Sequence, residues 1–199
     1  MSVNNQSVDF AVISATVAGE LYRAGNVAKK LSLAAKNSRA VVLRAGSNAA
    51  GLKVISDYFA ELAANAISLS SQVNAVALSV SQMAVERWHR ENLTKNLNRS
   101  QSLHHHESLE KNVKQVAEQM TEINGRFRKS IGKLKDQLDD IHNQMQASSV
   151  VAVTFRLEAT QTGEFRPLLE DMANNIEGYS ADIKSHIQRS QLQIAQLGF

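Results

Sequence analysis

Residues 39–63 read RAVVLRAGSNAAGLKVISDYFAELA, and the fold turns on how this stretch is read. An apolar helical pattern runs up to Arg44-Ala45-Gly46, pauses over small residues and resumes at Leu52 after Gly51. The segment Gly46-Ser47-Asn48-Ala49-Ala50-Gly51 has the glycine spacing of a phosphate-binding loop. It lacks the chemistry: Leu52 and Lys53 follow where such a loop needs lysine and then a hydroxyl, and a helix rather than a strand comes before it. The pattern instead predicts a turn between two helices, with Gly46 in the left-handed conformation that ends the first.

Working outward, the apolar positions from Phe10 to Ala45 recur in alternating steps of three and four, which is a heptad seam. A parallel stripe at Leu21, Ala28, Ala35 and Val42 widens the buried face, as a helix touching two neighbours in a bundle requires. From Leu52 to Met83 the same rhythm returns, so the chain has turned back. Leu109 to Phe155 forms a third seam and Phe165 to Leu197 a fourth, each with consecutive steps of four that locally straighten a supercoil. Four helices of roughly 40 residues, about 60 Å each at 1.5 Å per residue, are expected. The single proline, Pro167, falls in the first turn of the fourth, where its missing N–H costs little.

The polar stretch NLNRSQSLHHHES at 96–108 has no apolar stripe and reads as a linker. The organisation expected is therefore a hairpin over 1–97 with its tip near 46–51, a polar linker at 98–108, and a second hairpin over 109–199 with its tip near 158–164. The hairpins are weakly alike at a shift of 112, Ala40-Val41-Val42-Leu43-Arg44 against Ala152-Val153-Thr154-Phe155-Arg156, with Gly51 on Gly163. Side by side, they make an all-α fold, a long antiparallel four-helix bundle with both tips at one end.

Composition narrows the function classes. The chain of 199 residues carries no cysteine, so disulfides and thiolate metal sites are out, and a reducing cytoplasm fits. The N-terminus lacks the basic start and compact apolar run of a signal peptide, and no stretch approaches the ~20 apolar residues of a membrane span. Net charge is +3, split as 11 Lys/Arg against 6 Asp/Glu in residues 1–100 and 11 against 13 in the remainder. The basic residues of the first half are scattered without interleaved aromatics, which argues against nucleic acid.

The wording of the first turn is more specific than its geometry. AKNSRAVVLRAGSNAAGLKVISDYFAELA, residues 35–63, resembles the hairpin tip of the bacterial methyl-accepting chemotaxis receptors, whose pattern runs LNAxIEAARAGExGxGFxVVAxEVRxLA. Asn37 falls on the family Asn, Arg44-Ala45-Gly46 on its RAG, and Gly51-Leu52 on its Gly-Phe. The likeness covers residues 26–65. Val41 and Ser47 replace two family glutamates, Leu52 replaces the aromatic, and the second turn, ATQTGEFRP, has lost nearly all of the motif.

The resemblance implies a coiled hairpin, two of which pair into a four-helix bundle whose tip binds the coupling protein CheW and the histidine kinase CheA, with other receptors as further partners. Here both hairpins would come from one polypeptide, a covalent pseudo-dimer. The partner-binding residues it implies are Val27, Lys30, Leu31, Ala34, Asn37, Val41, Arg44, Gly46, Leu52 and Ile55. Within that set, Val27, Leu31, Ala34, Asn37 and Val41 alternate packing with one polar group, while Lys30 and Arg44 stand outside. The blander reading makes all of them core and solvated face.

No enzyme, metal or cofactor signal is present. His104-His105-His106 would point about 100° apart on a helix and cannot converge on one ion. Asp139-Asp140 sits on a charged helical face rather than in a pocket. The competing function class is a non-signalling helical bundle, membrane-active or secretion-related, whose Ala/Val/Ser-rich segment from Ala63 to Ala84 refolds onto lipid.

Overall fold

The computed structural model describes residues 3–46, 50–103 and 107–196. Its elements are α1 (Val3–Ala45), α2 (Ala50–Leu103), α3 (Glu107–Ala159), a short 3-10 turn (Gly163–Phe165) and α4 (Arg166–Ala195), with no strand among the described residues. Scarcity of helix breakers accounts for these lengths. At the end of α1 Gly46 has φ +58°, the left-handed conformation expected of it. Between α3 and α4 the chain makes a turn, Thr160–Thr162 closing back on the carbonyls of Leu157, Glu158 and Ala159 before Gly163, also at φ +58°. Gly163 is thus the conformational counterpart of Gly46. The repeat alignment had set it on Gly51, which lies inside α2.

Helix lengths correct the expectation of roughly 40 residues each: 43, 54, 53 and 30. The largest departure is the linker. α2 continues through Leu103 and α3 starts at Glu107, so most of 96–108 is helical. Residues 96–103 are mostly polar, but they contain neither proline nor glycine to stop the helix. The histidine triplet, 104–106, lies outside the described residues.

Each helix packs on two others, α1 and α3 both lying against α2 and α4. Among the described side chains the seams read from sequence point inward, and the widening stripe Leu21, Ala28, Ala35 and Val42 is buried too; Phe10, Leu109 and Leu197, the outer ends of three seams, lie outside them. Small residues dominate the α1–α2 side of the core, with Ala28, Ala63 and Ala66 fully enclosed, while α3 supplies bulk through Phe127, Ile131, Leu138 and Phe155. Burying each such large side chain contributes about 1.5–3 kcal/mol. Two of the buried serines donate to their own helix, Ser38 to the Ala35 carbonyl at 2.8 Å and Ser190 to that of His186 at 3.0 Å.

Polar contacts cross every interface. Arg39 meets Asp57 at 3.1 Å between α1 and α2, and Arg126 meets Glu86 at 3.8 Å between α2 and α3. Arg156 reaches Asn174 and Glu177 between α3 and α4. These three pairs are largely exposed and each is worth about 0–1 kcal/mol. The fourth crossing differs in kind: Glu20 of α1, the only charged residue in the buried core among the described residues, faces His186 and Arg189 of α4.

Candidate functional site

The seam phase of α1 decides which tip residues a partner could touch. Because α1 turns its Leu31 and Val42 stripe into the bundle, Lys30, Asn37 and Arg44 fall on the outer side and are exposed. Between α1 and α4 this leaves an open groove of about 390 Å³, walled by Lys30, Leu33, Ala34 and Asn37 on one side. Leu168, Asp171, Met172, Asn175 and Tyr179 wall the other. Three of the expected site residues, Lys30, Ala34 and Asn37, therefore share one surface, with Arg44 and Gly46 exposed farther along toward the turn.

The remaining expected positions go elsewhere. Leu31 and Leu52 are 0% exposed and Val41 is 8% exposed, so they hold the bundle together and offer nothing to a partner. Val27 is half-buried against the core. Ile55, also half-buried, lines a different groove, between α2 and α3. Asn37 corrects the sequence reading in detail: it was placed among the packing residues, but Ser38 takes the inward position, 3.4 Å from Ser56 of α2. Ser38 stands four residues after Ala34 and three before Val41, so the rhythm of the α1 seam carries it inward.

Leu168, Asp171, Asn175 and Tyr179 are the site residues that sequence reasoning missed. Their spacing puts them on one side of α4, but which residues of α1 they face depends on how the two helices are offset, which no local pattern encodes. No family model, curated protein or solved structure matches the chain.

Chemically the groove is an amphipathic trough. Leu33 and Leu168 expose apolar surface, Lys30 and Asp171 supply opposite charges, and Asn37 and Asn175 offer amide donors and acceptors. Among the described residues no group of three His, Cys, Asp or Glu side chains could hold a metal ion. Likewise, no helix there is long and apolar enough to cross a membrane.

A second polar centre lies farther from the tip. Glu20 accepts from Arg23 at 2.6 Å and meets His186 Nδ1 at 2.7 Å, with Arg189 at 3.5 Å. The hydrogen bond from His186 is the largest influence holding the Glu20 carboxyl below its ordinary pKa, against the opposing effect of burial; the charges of Arg189, His186 and Arg23 add to it. This centre is a clasp between α1 and α4.

Proposed function

We propose that the chain is a chemoreceptor-like signalling or scaffold protein of bacterial chemotaxis, acting in the cytoplasm, whose first hairpin tip engages the coupling protein CheW and the histidine kinase CheA. The observation that carries this reading is the receptor-like wording of residues 35–63, in which Arg44-Ala45-Gly46 falls at a helix reversal with Gly46 at φ +58°. In this reading the four helices are two antiparallel hairpins paired as a covalent pseudo-dimer. Contacts whose residue numbers run in opposite directions support it: Gly25 lies beside Asn74 and Ser38 beside Ser56, and Asp139 meets Gln191 while Lys184 meets Ser149. A Cβ built on Gly51 would lie 2.9 Å from Glu158 Oε2, which favours both reversals at the same end.

The partner-binding surface is then the α1–α4 groove with Arg44 at its tip side. Leu31, Val41 and Leu52 of the implied set act indirectly, by fixing the spacing of the helices beneath it. Apolar contacts at Leu33 and Leu168 supply affinity, while Lys30, Asp171 and Arg44 orient the partner. Val41 replaces a family glutamate, which suits a protein that occupies receptor positions in an array without commanding the kinase.

Capture of CheW and CheA from the source cell by purified wild-type chain and by Arg44→Glu tests this. Wild type retains both partners. Arg44→Glu lowers recovery about fivefold, as the loss of a contact worth about 1 kcal/mol requires, and leaves the helical melt unchanged because the side chain is exposed. Equal recovery by the two proteins removes Arg44 from the site. Failure of wild type to retain either partner removes the chemotaxis reading and leaves the membrane-active one, under which Ala63–Ala84 must leave a bundle where Ala63, Ala66, Val73 and Ala77 are now buried.

A further inference from the structure

Between α1 and α2 a groove of about 230 Å³ gathers polar groups that the bundle itself leaves unused. Tyr22, Asn26 and Lys29 wall it on α1, spaced by four and three residues and so on one face, and Ile67, Ser70 and Asn74 wall it on α2. Gly25 leaves the space between them without a side chain; a Cβ there would lie 3.8 Å from both Asn74 Nδ2 and Ser70 Cβ. Two observations point to a ligand. Ser70 is 6% exposed, and its hydroxyl, which a helical serine commonly donates to the carbonyl four residues back, has no hydrogen-bond partner. A buried hydroxyl left unpaired is unfavourable until something accepts from it. Lys29 is exposed and makes no ion pair among the described residues. No acidic side chain lines the groove, and residues 62–85 of α2 contain no Asp, Glu, Lys or Arg, so that wall does not neutralise the ammonium.

These groups define the chemistry of the occupant. The Lys29 ammonium, the Ser70 hydroxyl and the amides of Asn26 and Asn74 can all donate, so they suit a ligand rich in acceptors, and a single cation matches a single negative charge. The Tyr22 ring and Ile67 offer apolar surface to a carbon skeleton, which an inorganic anion lacks. We propose that this groove binds a small organic carboxylate bearing hydroxyl groups, with the carboxylate on Lys29 and a ligand oxygen accepting from Ser70 Oγ. The volume is below the ~300–1,000 Å³ of sites for drug-sized molecules, so the ligand is small and its binding weak. The inference does not depend on the chemotaxis reading, whose surface lies between α1 and α4.

Gluconate, a carboxylate carrying hydroxyl groups, is the probe, and sorbitol is its uncharged counterpart. Backbone amide shifts of the isotope-labelled full chain are followed up to about 50 mM of each, with chloride holding the ionic strength constant. Gluconate produces saturable shifts centred on residues 22–29 and 67–74, with a Kd of about 1–10 mM, and sorbitol produces none. Lys29→Gln and Ser70→Ala each raise that Kd about fivefold, as the loss of one hydrogen bond or exposed charge requires. Ser70→Ala keeps the wild-type helical melt, because the hydroxyl it removes is bonded to nothing. Lys133→Gln, the same change of charge at an exposed position of α3 outside the groove, binds gluconate like wild type. The proposal is overturned if gluconate gives no saturable shift, if the shifts centre elsewhere, if sorbitol binds as well, or if either groove variant binds like wild type.

Discussion

At the scale of single residues, Glu20 shows how a side chain that violates the apolar pattern can still hold a bundle together. It stands three residues after Val17 and four before Ala24, in the rhythm of the α1 seam, but its partners His186 and Arg189 lie more than 160 residues away and only the fold brings them to it. Burial at 7% exposure would be unfavourable for an unpaired carboxylate; three cationic or donor groups offset it. Because its folded pKa lies below the unfolded value, the clasp contributes fully above the ordinary carboxylate range near pH 4.5. The contribution is lost as pH falls through the depressed value. Glu20→Gln should therefore cost about 2 kcal/mol at pH 7, typical of a charged hydrogen bond, and progressively less on acidification. Urea denaturation of both proteins between about pH 3 and pH 7 reads the difference; a gap that stays constant with pH would mean that Glu20 is not ionised in the fold.

At the scale of elements, the phase of each helix was legible and its ends were not. Steps of three and four placed Leu31, Phe59, Phe127 and Ile183 inside correctly, because burial of an amphipathic stripe leaves the chain little choice of face. The polar stretch read as a linker from residue 98 instead continues α2 as far as Leu103, since it holds no proline or glycine to stop the helix. The phase has a sharp consequence on α2. Ala66 is fully enclosed and Ala64, two residues earlier, is exposed. Ala66→Leu should destabilise the protein by roughly 1–3 kcal/mol through overpacking, while Ala64→Leu should change stability by less than about 0.5 kcal/mol. Thermal melts that rank the two in the opposite order would show that α2 is rotated from its described orientation.

At the scale of the whole molecule, the composition and four seams sufficed for an all-α bundle, but surfaces made by two helices at once were beyond local pattern. The α1–α4 groove needs Asn37 and Asn175 at one level, and the α2–α3 groove needs Tyr58 beside Val150; those levels follow from helix offsets set by packing along the entire length. The candidate tip site rests on one arrangement, in which the two hairpins lie side by side with their turns together. Spin labels at Leu43 of α1 and Leu157 of α3, both exposed, measure it directly by dipolar distance. Side-by-side hairpins predict roughly 20–30 Å, the diagonal of a bundle with helices 8–10 Å apart plus the label arms. A distance of about 60 Å, the length of 40 helical residues, would mean that the hairpins lie end to end and would contradict the account.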